Sequence, residues 1–152
     1  MSDLAFIRVT DDQKADVWTQ VHNQIISSDP LTVEQVVERS KLYALDLATL
    51  EGTTVGCSTV RPVVDDAPVT VIVRILPTYR RRGLGSALLA YALTHAKAWD
   101  ADHIQTIVHG SNLDGLEFAL RRGFVETDRY TLEGESVPYI HLATSLDAVG
   151  TR

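Results

Sequence analysis

With a single cysteine, Cys57, the chain cannot close an internal disulfide. The neighbours of Cys57 (Val55, Gly56, Ser58, Thr59) read as a strand, which favours a buried structural thiol over a reactive one. Long apolar runs are also missing: no segment approaches the ~20 residues needed to span a bilayer. Met1-Ser2-Asp3-Leu4 carries no basic stretch leading into an apolar run, so no leader is expected and the expected compartment is the cytoplasm. Positive charge is scarce, with 14 Lys and Arg against 20 Asp and Glu and a net charge of -6. No overall field therefore favours nucleic acid or an anionic membrane as partner. No pair of histidines has metal-ligand spacing, so no metal is expected. Repeats, low-complexity tracts and long linkers are absent as well. The 152 residues, 45% of them hydrophobic, are expected to form one domain over 1–152 with a core that needs no staples.

The patterning that is present gives an order of elements. Ala5 to Val9 alternates as a strand. Thr10 and Gln13 fit a capping box ahead of a helix whose Ala15, Trp18, Val21 and Ile25 share a face. A second box at Thr32 and Gln35, with Leu31 and Val36 placed as a staple, starts a short helix to about Ser40. Lys41 to Thr49, Thr53 to Val63 and Val69 to Leu76 read as strands separated by Glu51-Gly52 and Asp65-Asp66-Ala67-Pro68, and such short loops imply antiparallel neighbours. The third of these strands is apolar on both alternating sets, as a central strand should be, except at Arg74.

Pro77 ends that strand, and a helix begins near Gly83 with Leu84, Leu88, Tyr91, Ala92 and Trp99 in one stripe. His103 to Val108 is the next strand and Asn112 to Arg121 the next helix, stopped by Gly123 in a left-handed cap against which Phe124 packs. Val125 to Tyr130 and Val137 to Leu146 complete the order βααβββαβαββ, and the tail from Asp147 to Arg152 reads as frayed. The fold class is α/β (α+β) with a mostly antiparallel sheet.

The segment Ile75-Leu76-Pro77-Thr78-Tyr79-Arg80-Arg81-Arg82-Gly83-Leu84-Gly85-Ser86 carries the chemistry. It runs from a strand end through a tight turn into a helix start, where unpartnered amides and the positive end of the helix dipole face outward. Gly83 and Gly85 would let an anion approach the main chain, with Arg80, Arg81 and Arg82 adding charge. A solvated basic turn that uses its glycines only for backbone geometry accounts for the same residues. A dinucleotide fingerprint fails because its third glycine position is Leu88, and a Walker loop fails because Gly85 is followed by Ser86-Ala87.

Taken together, Arg80-x-x-Gly83-x-Gly85 after Val73-Arg74-Ile75-x-Pro77 resembles the acyl-CoA signature of the GNAT superfamily of N-acyltransferases. Asn112, followed eleven residues later by Gly123-Phe124, resembles that superfamily's second motif. The resemblance spans about residues 5 to 146 and implies a central mixed, mostly antiparallel six- to seven-stranded sheet flanked by about four helices. It implies acetyl-CoA as cosubstrate. Backbone groups of Val73, Arg74 and Ile75 would pair with the pantetheine arm as an added strand. Amides of Arg80, Arg81, Arg82, Gly83, Leu84, Gly85 and Ser86 would hold the pyrophosphate. Asn112 would contact the cofactor or cap its helix, or both.

Relatives often supply a carboxylate from a central strand and a Tyr from the following helix. Those positions here are apolar, near Val71 and at Ile107, and the Tyr position is Ala119. His109, at the end of its strand, is then the candidate general base because its ordinary pKa lies near neutrality; a histidine at an exposed strand end with no role is the alternative. Tyr130 and Tyr139 are candidate proton donors if they face the cleft.

The function implied is transfer of an acetyl group from acetyl-CoA to a primary amine of a small molecule or peptide, with a homodimer compatible. A non-catalytic acyl-CoA-binding regulatory module of the same fold is the alternative. Nucleic-acid binding through Arg80 to Arg82 is disfavoured, since three charges without aromatic interleaving make no extended groove.

Overall fold

The computed structural model describes residues 3–65 and 67–149. Its elements follow the order read from the sequence: β1 (Leu4–Arg8), α1 (Asp12–Ile25), α2 (Val33–Leu42), β2 (Ala44–Leu50), β3 (Thr53–Arg61), β4 (Val69–Ile75), α3 (Leu84–Ala98), β5 (His103–His109), α4 (Leu113–Arg121), β6 (Val125–Tyr130) and β7 (Tyr139–Ser145). One seven-stranded sheet runs β1-β2-β3-β4-β5-β7-β6. Every neighbouring pair is antiparallel except β4 and β5, which are parallel and pair only through Val69 with Ile104 and Thr70 with Gln105. The mixed, mostly antiparallel sheet with four helices is therefore the fold of the chain.

The local signals that set these elements are mostly short-range. Thr32 and Gln35 make both bonds of the capping box at α2. At α1 the cap is Asp11 rather than Thr10: its carboxylate accepts from the Lys14 amide at 2.8 Å and pairs with the Lys14 ammonium at 2.9 Å. A carboxylate answers the helix dipole as well as the free amide, so the helix begins one residue later than the Thr10 box predicts. Lys41 belongs to α2, where it pairs with Glu38 at 3.0 Å, instead of opening β2. Gly123 takes φ +96 after α4, and the Phe124 amide reaches back to the Ala119 carbonyl at 3.1 Å. Trp99 leaves the expected stripe, capping α3 with 44% of its surface exposed. The expected frayed tail is partly ordered, since Leu146–Ala148 forms a 3-10 turn and Val149 is buried; residues 150–152 lie outside the described residues, as do 1, 2 and Asp66 of the hairpin.

Hydrophobic clusters cover the two faces of the sheet. On one face Trp18, Val21 and Val36 of α1 and α2 pack on Leu45, Leu47 and Cys57. Burial pushes the Cys57 thiol up to about 12, which makes it an inert structural group. On the other face Leu89, Leu93 and Ala96 of α3 pack on Val60, Val71 and Ile104. β2 is buried on both sides, and its Asp46 is fully enclosed beneath α3. Arg8 Nε donates to Asp46 at 3.0 Å and the Tyr91 hydroxyl at 3.2 Å, so the charge is compensated where the alternation pattern alone would call for an apolar side chain.

His22, in the last turn of α1, is the other buried titratable group that the sequence did not single out. Its ring stacks on Trp18, and its Nδ1–H donates to the Asn23 side-chain oxygen at 2.9 Å. Burial, with the positive charge of Arg74 next in weight, lowers its pKa from 6.5 to about 4. The folded value lies below the unfolded one, so the neutral ring's contribution is complete above pH 6.5 and is lost as the pH falls toward 4. Urea unfolding of the wild type should therefore lose roughly 2 kcal/mol more than that of His22→Gln between about pH 7 and pH 5. Parallel losses in the two proteins would show that His22 is protonated in the fold.

Candidate active site

Past Thr70 the two central strands part, and the edge of β4 facing β5 carries no ladder from Val71 onward. Pro77 ends the strand, a single 3-10 turn spans Pro77–Tyr79, and the chain enters α3 through Arg81 at φ +68 and Gly83 at φ +80. Gly83 is the N-cap of α3 and offers no side chain to cap it. In consequence, the amides from Arg81 through Ser86 find no intramolecular acceptor among the described residues. The Arg80 amide is not part of this run, because it donates to the Pro77 carbonyl at 3.3 Å. Alternating left- and right-handed backbone at a helix start forms an anion-binding concavity.

The two glycines serve different purposes. A Cβ at Gly83 would meet nothing within 4 Å, so what the residue supplies is its left-handed φ. A Cβ at Gly85 would stand 3.2 Å from the Phe118 ring, so its bareness lets α4 close on α3. Between these elements lies a cleft of about 220 Å³ whose walls include Val73, Arg74, Ile75, Gly83, Ser86, Asn112 and Phe118.

The arginines divide by function. Arg80 ties the site together, its Nε donating to the Ile75 carbonyl at 2.8 Å and its guanidinium pairing with Asp114 at 2.9 Å. Arg81 lines the cleft beside Glu117, at 3.6 Å. Arg82 stacks over Tyr79, and the Leu84 side chain packs against the cluster of Ala48, Val55, Ile75 and Leu88, so neither side chain lines the cleft. Arg122, which the sequence reading passed over, lies over Phe118 and donates to the Ser86 hydroxyl. Asn112 caps α4 by accepting from the Gly115 amide at 3.1 Å, and its Nδ2 makes no hydrogen bond among the described residues.

Next to the cleft, a void of about 30 Å³ lies between the parted strands, lined by Val71, Ile107, Ala119 and His109. His109 is 1% exposed, not the surface strand-end residue that was the alternative. The Ser111 amide donates to Nδ1 at 3.3 Å, with the Ser111 hydroxyl 2.6 Å away. An Nδ1 that accepts from an amide leaves the neutral ring's proton on Nε2, and that nitrogen is buried without a partner. In that tautomer the neutral ring offers an N–H at Nε2, and in the other it offers a base there.

Tyr139, opposite His109 in the ladder, sets its ring edge-on to the imidazole at 5.0 Å, and its hydroxyl donates to Asp29. Tyr130 sits 6.0 Å from Tyr139 with its hydroxyl 3.3 Å from His141. Asp29 comes from the α1–α2 connection, 110 residues from Tyr139 along the chain. No local pattern marks such a residue, and only the crossing of that loop over the sheet brings it to the site. Among the described residues no group of three or more His, Cys, Asp or Glu is placed to hold a metal, and no helix is long and apolar enough to cross a membrane.

The acetyltransferase (GNAT) family model matches residues 10–124. No curated protein matches the chain in sequence. Among solved structures, Ard1 from Thermoplasma volcanium superposes with a TM-score of 0.80 at 15% identity, covering 95% of this chain and 98% of its own. The ribosomal-protein-S18-alanine N-acetyltransferase from Escherichia coli gives 0.73 at 16%, covering 98% and 97%. yncA from Salmonella typhimurium, solved with its cofactor acetyl-CoA, gives 0.73 at 16%, covering 96% and 95%. At these identities the structures speak for the fold, and the family follows from the model match across most of the chain: the protein belongs to the acetyltransferase (GNAT) family, the acetyl-CoA-dependent N-acetyltransferases.

Proposed function

We propose that the chain transfers the acetyl group of acetyl-CoA directly to a primary amine of a small molecule or peptide. The observation that carries this reading is the run of unpartnered amides from Arg81 through Ser86 at the mouth of a cleft that opens onto the bare edge of β4. The residues fit the cofactor. Gly83 leaves open space above the amides for a pyrophosphate, and the Arg81 guanidinium adds positive charge. Backbone groups of Val73, Arg74 and Ile75 extend the sheet to the pantetheine arm, and Asn112 Nδ2 donates from the opposite wall. Arg80 holds the end of β4 against α4 through Ile75 and Asp114, which keeps the two walls at a fixed separation.

Acetyl-CoA supplies an activated thioester, and attack by an amine requires that the departing sulfur be stabilised. His109 Nε2–H is the group for that task, because it is buried, unpartnered and beside the gap between the strands. Direct transfer is favoured over a covalent enzyme intermediate because Cys57 is wholly buried with a thiol raised to about 12. With Val71 and Ile107 at the strand positions where relatives carry acids, the amine's proton leaves through water.

Two outcomes test this reading. Acetyl-CoA or CoA at about a hundred times its Kd should raise the melting temperature by roughly 5–10 °C. A folded Gly83→Val protein should show none of that shift, because a β-branched residue cannot hold the left-handed φ of +80 that exposes the amides. An unchanged melting curve at millimolar cofactor would sink the assignment.

The second outcome concerns His109. His109→Ala should lower kcat by about 10²–10³-fold with little change in the cofactor's KM, as expected for loss of one transition-state donor. His109→Gln, which keeps an N–H donor but no basic nitrogen, should recover at least tenfold of that loss. Equal losses in the two variants would instead identify His109 as a base.

A further inference from the structure

The cleft has a second side. Strand periodicity puts Arg74 on the sheet face that carries Cys57, its ladder partner, and Arg61 on that same face four residues along β3. Arg39 of α2 faces them, close enough to influence both. This is the face roofed by α1 and α2, opposite to α3 and the anion loop. All three arginines are partly buried, and none has a carboxylate within salt-bridge distance among the described residues.

Arg61 lies over the Tyr43 ring at 5.2 Å, and its Nε is buried with no hydrogen-bond partner. Burial, and then the neighbouring arginines, weaken the proton affinities of Arg61 and Arg74 from their ordinary value. Asp29 and Asp128 have other partners: Asp29 accepts from the Tyr139 hydroxyl, and Asp128 accepts from the Arg129 amide at 2.8 Å.

A cluster of half-buried guanidiniums without a counterion is costly, and in a chain of net charge -6 it is not a by-product of composition. An anion seated among them would relieve the repulsion and satisfy the idle Nε, and the guanidinium fork matches a carboxylate in two parallel bonds. We propose that the acceptor is a small amine bearing a carboxylate, such as an amino acid, with the carboxylate held by Arg61 and Arg74 and the amine turned toward the gap beside His109. The proposal rests on the acetyl-transfer reading above and names the substrate class for that site.

The test is thiol release from acetyl-CoA with a panel of free amino acids and the matching amino-acid amides, run beside the cofactor melting shift. At least one amino acid should be acetylated ten or more times faster, in kcat/KM, than its amide. Arg61→Gln should raise the KM for that amino acid at least tenfold while leaving the cofactor's KM and melting shift unchanged, and Arg61→Lys should recover part of the loss. Amides used as well as acids, or an Arg61→Gln protein indistinguishable from wild type, would overturn the inference. So would turnover confined to peptides with amidated carboxyl ends, or no turnover of any panel member by a protein that still shows the melting shift. Loss of the melting shift in the wild type would instead refute the acetyl-CoA reading itself.

Discussion

The structure depends on how briefly β4 and β5 stay together. Parallel pairing lasts for Val69 and Thr70 and then stops, so a sheet that is otherwise continuous opens in its middle. Two parallel strands that part leave facing backbone groups without partners, and buried backbone groups must be satisfied by something. A cleft lined by main-chain amides and carbonyls is therefore a consequence of topology rather than of any one side chain. The pairing on the outer sides keeps the gap from collapsing: β4 is tied to β3 over Gly56 to Arg61, and β5 to β7 along its full length. The packing is equally strict at Gly56, where a Cβ would stand 2.5 Å from the Arg74 carbonyl.

Charge is arranged against the average. The chain as a whole is acidic, yet it carries two groups of arginines: Arg80 to Arg82 and Arg122 around the start of α3, and Arg39, Arg61 and Arg74 on the other face of the sheet. Those of the first group are mostly compensated, by Asp114, by Glu117 or by an aromatic face. The field at the loop is then carried more by the amides and the helix dipole than by free guanidiniums. In the second group Arg61 has the Tyr43 ring, but none of the three has a carboxylate within salt-bridge distance among the described residues, which is the setting of the anion site proposed above.

Most of the fold was legible because its signals are local. Caps, Gly and Pro punctuation and the two hydrophobic periods fix the elements to within a residue or two, except the start of β2, which lies at Ala44 rather than Lys41, and Gly123 does at α4 what its position predicts. The turn from Arg80 into the start of α3 was legible for the same reason, since its residues are contiguous, although the run of unpartnered amides begins only at Arg81. What the sequence hid is what depends on distant contacts. Asp46 reads as an ordinary polar residue until Arg8 and Tyr91 close on it. Arg74 breaks an apolar alternation, but nothing in its own neighbourhood says that Arg61 and Arg39 will join it. The tautomer of His109 turns on the Ser111 amide, a geometric fact about a tight turn that residue identity alone does not carry.

On the proposed reading, one strand position, Arg74, would serve two ligands. In a strand the backbone's hydrogen-bonding groups lie in the plane of the sheet, while side chains stand perpendicular to it. The main chain of Arg74 thus borders the gap between β4 and β5, and its guanidinium rises on the α1 and α2 face beside Cys57 and His22. A cofactor bound by main-chain pairing imposes no side-chain identity at that position, so the residue remains available to the second site. On that reading the gap between β4 and β5 would take the acyl chain from the α3 side and the amine from the α1 side. Parting two strands and placing one arginine on the far face would then supply both halves of a two-substrate site within one sheet.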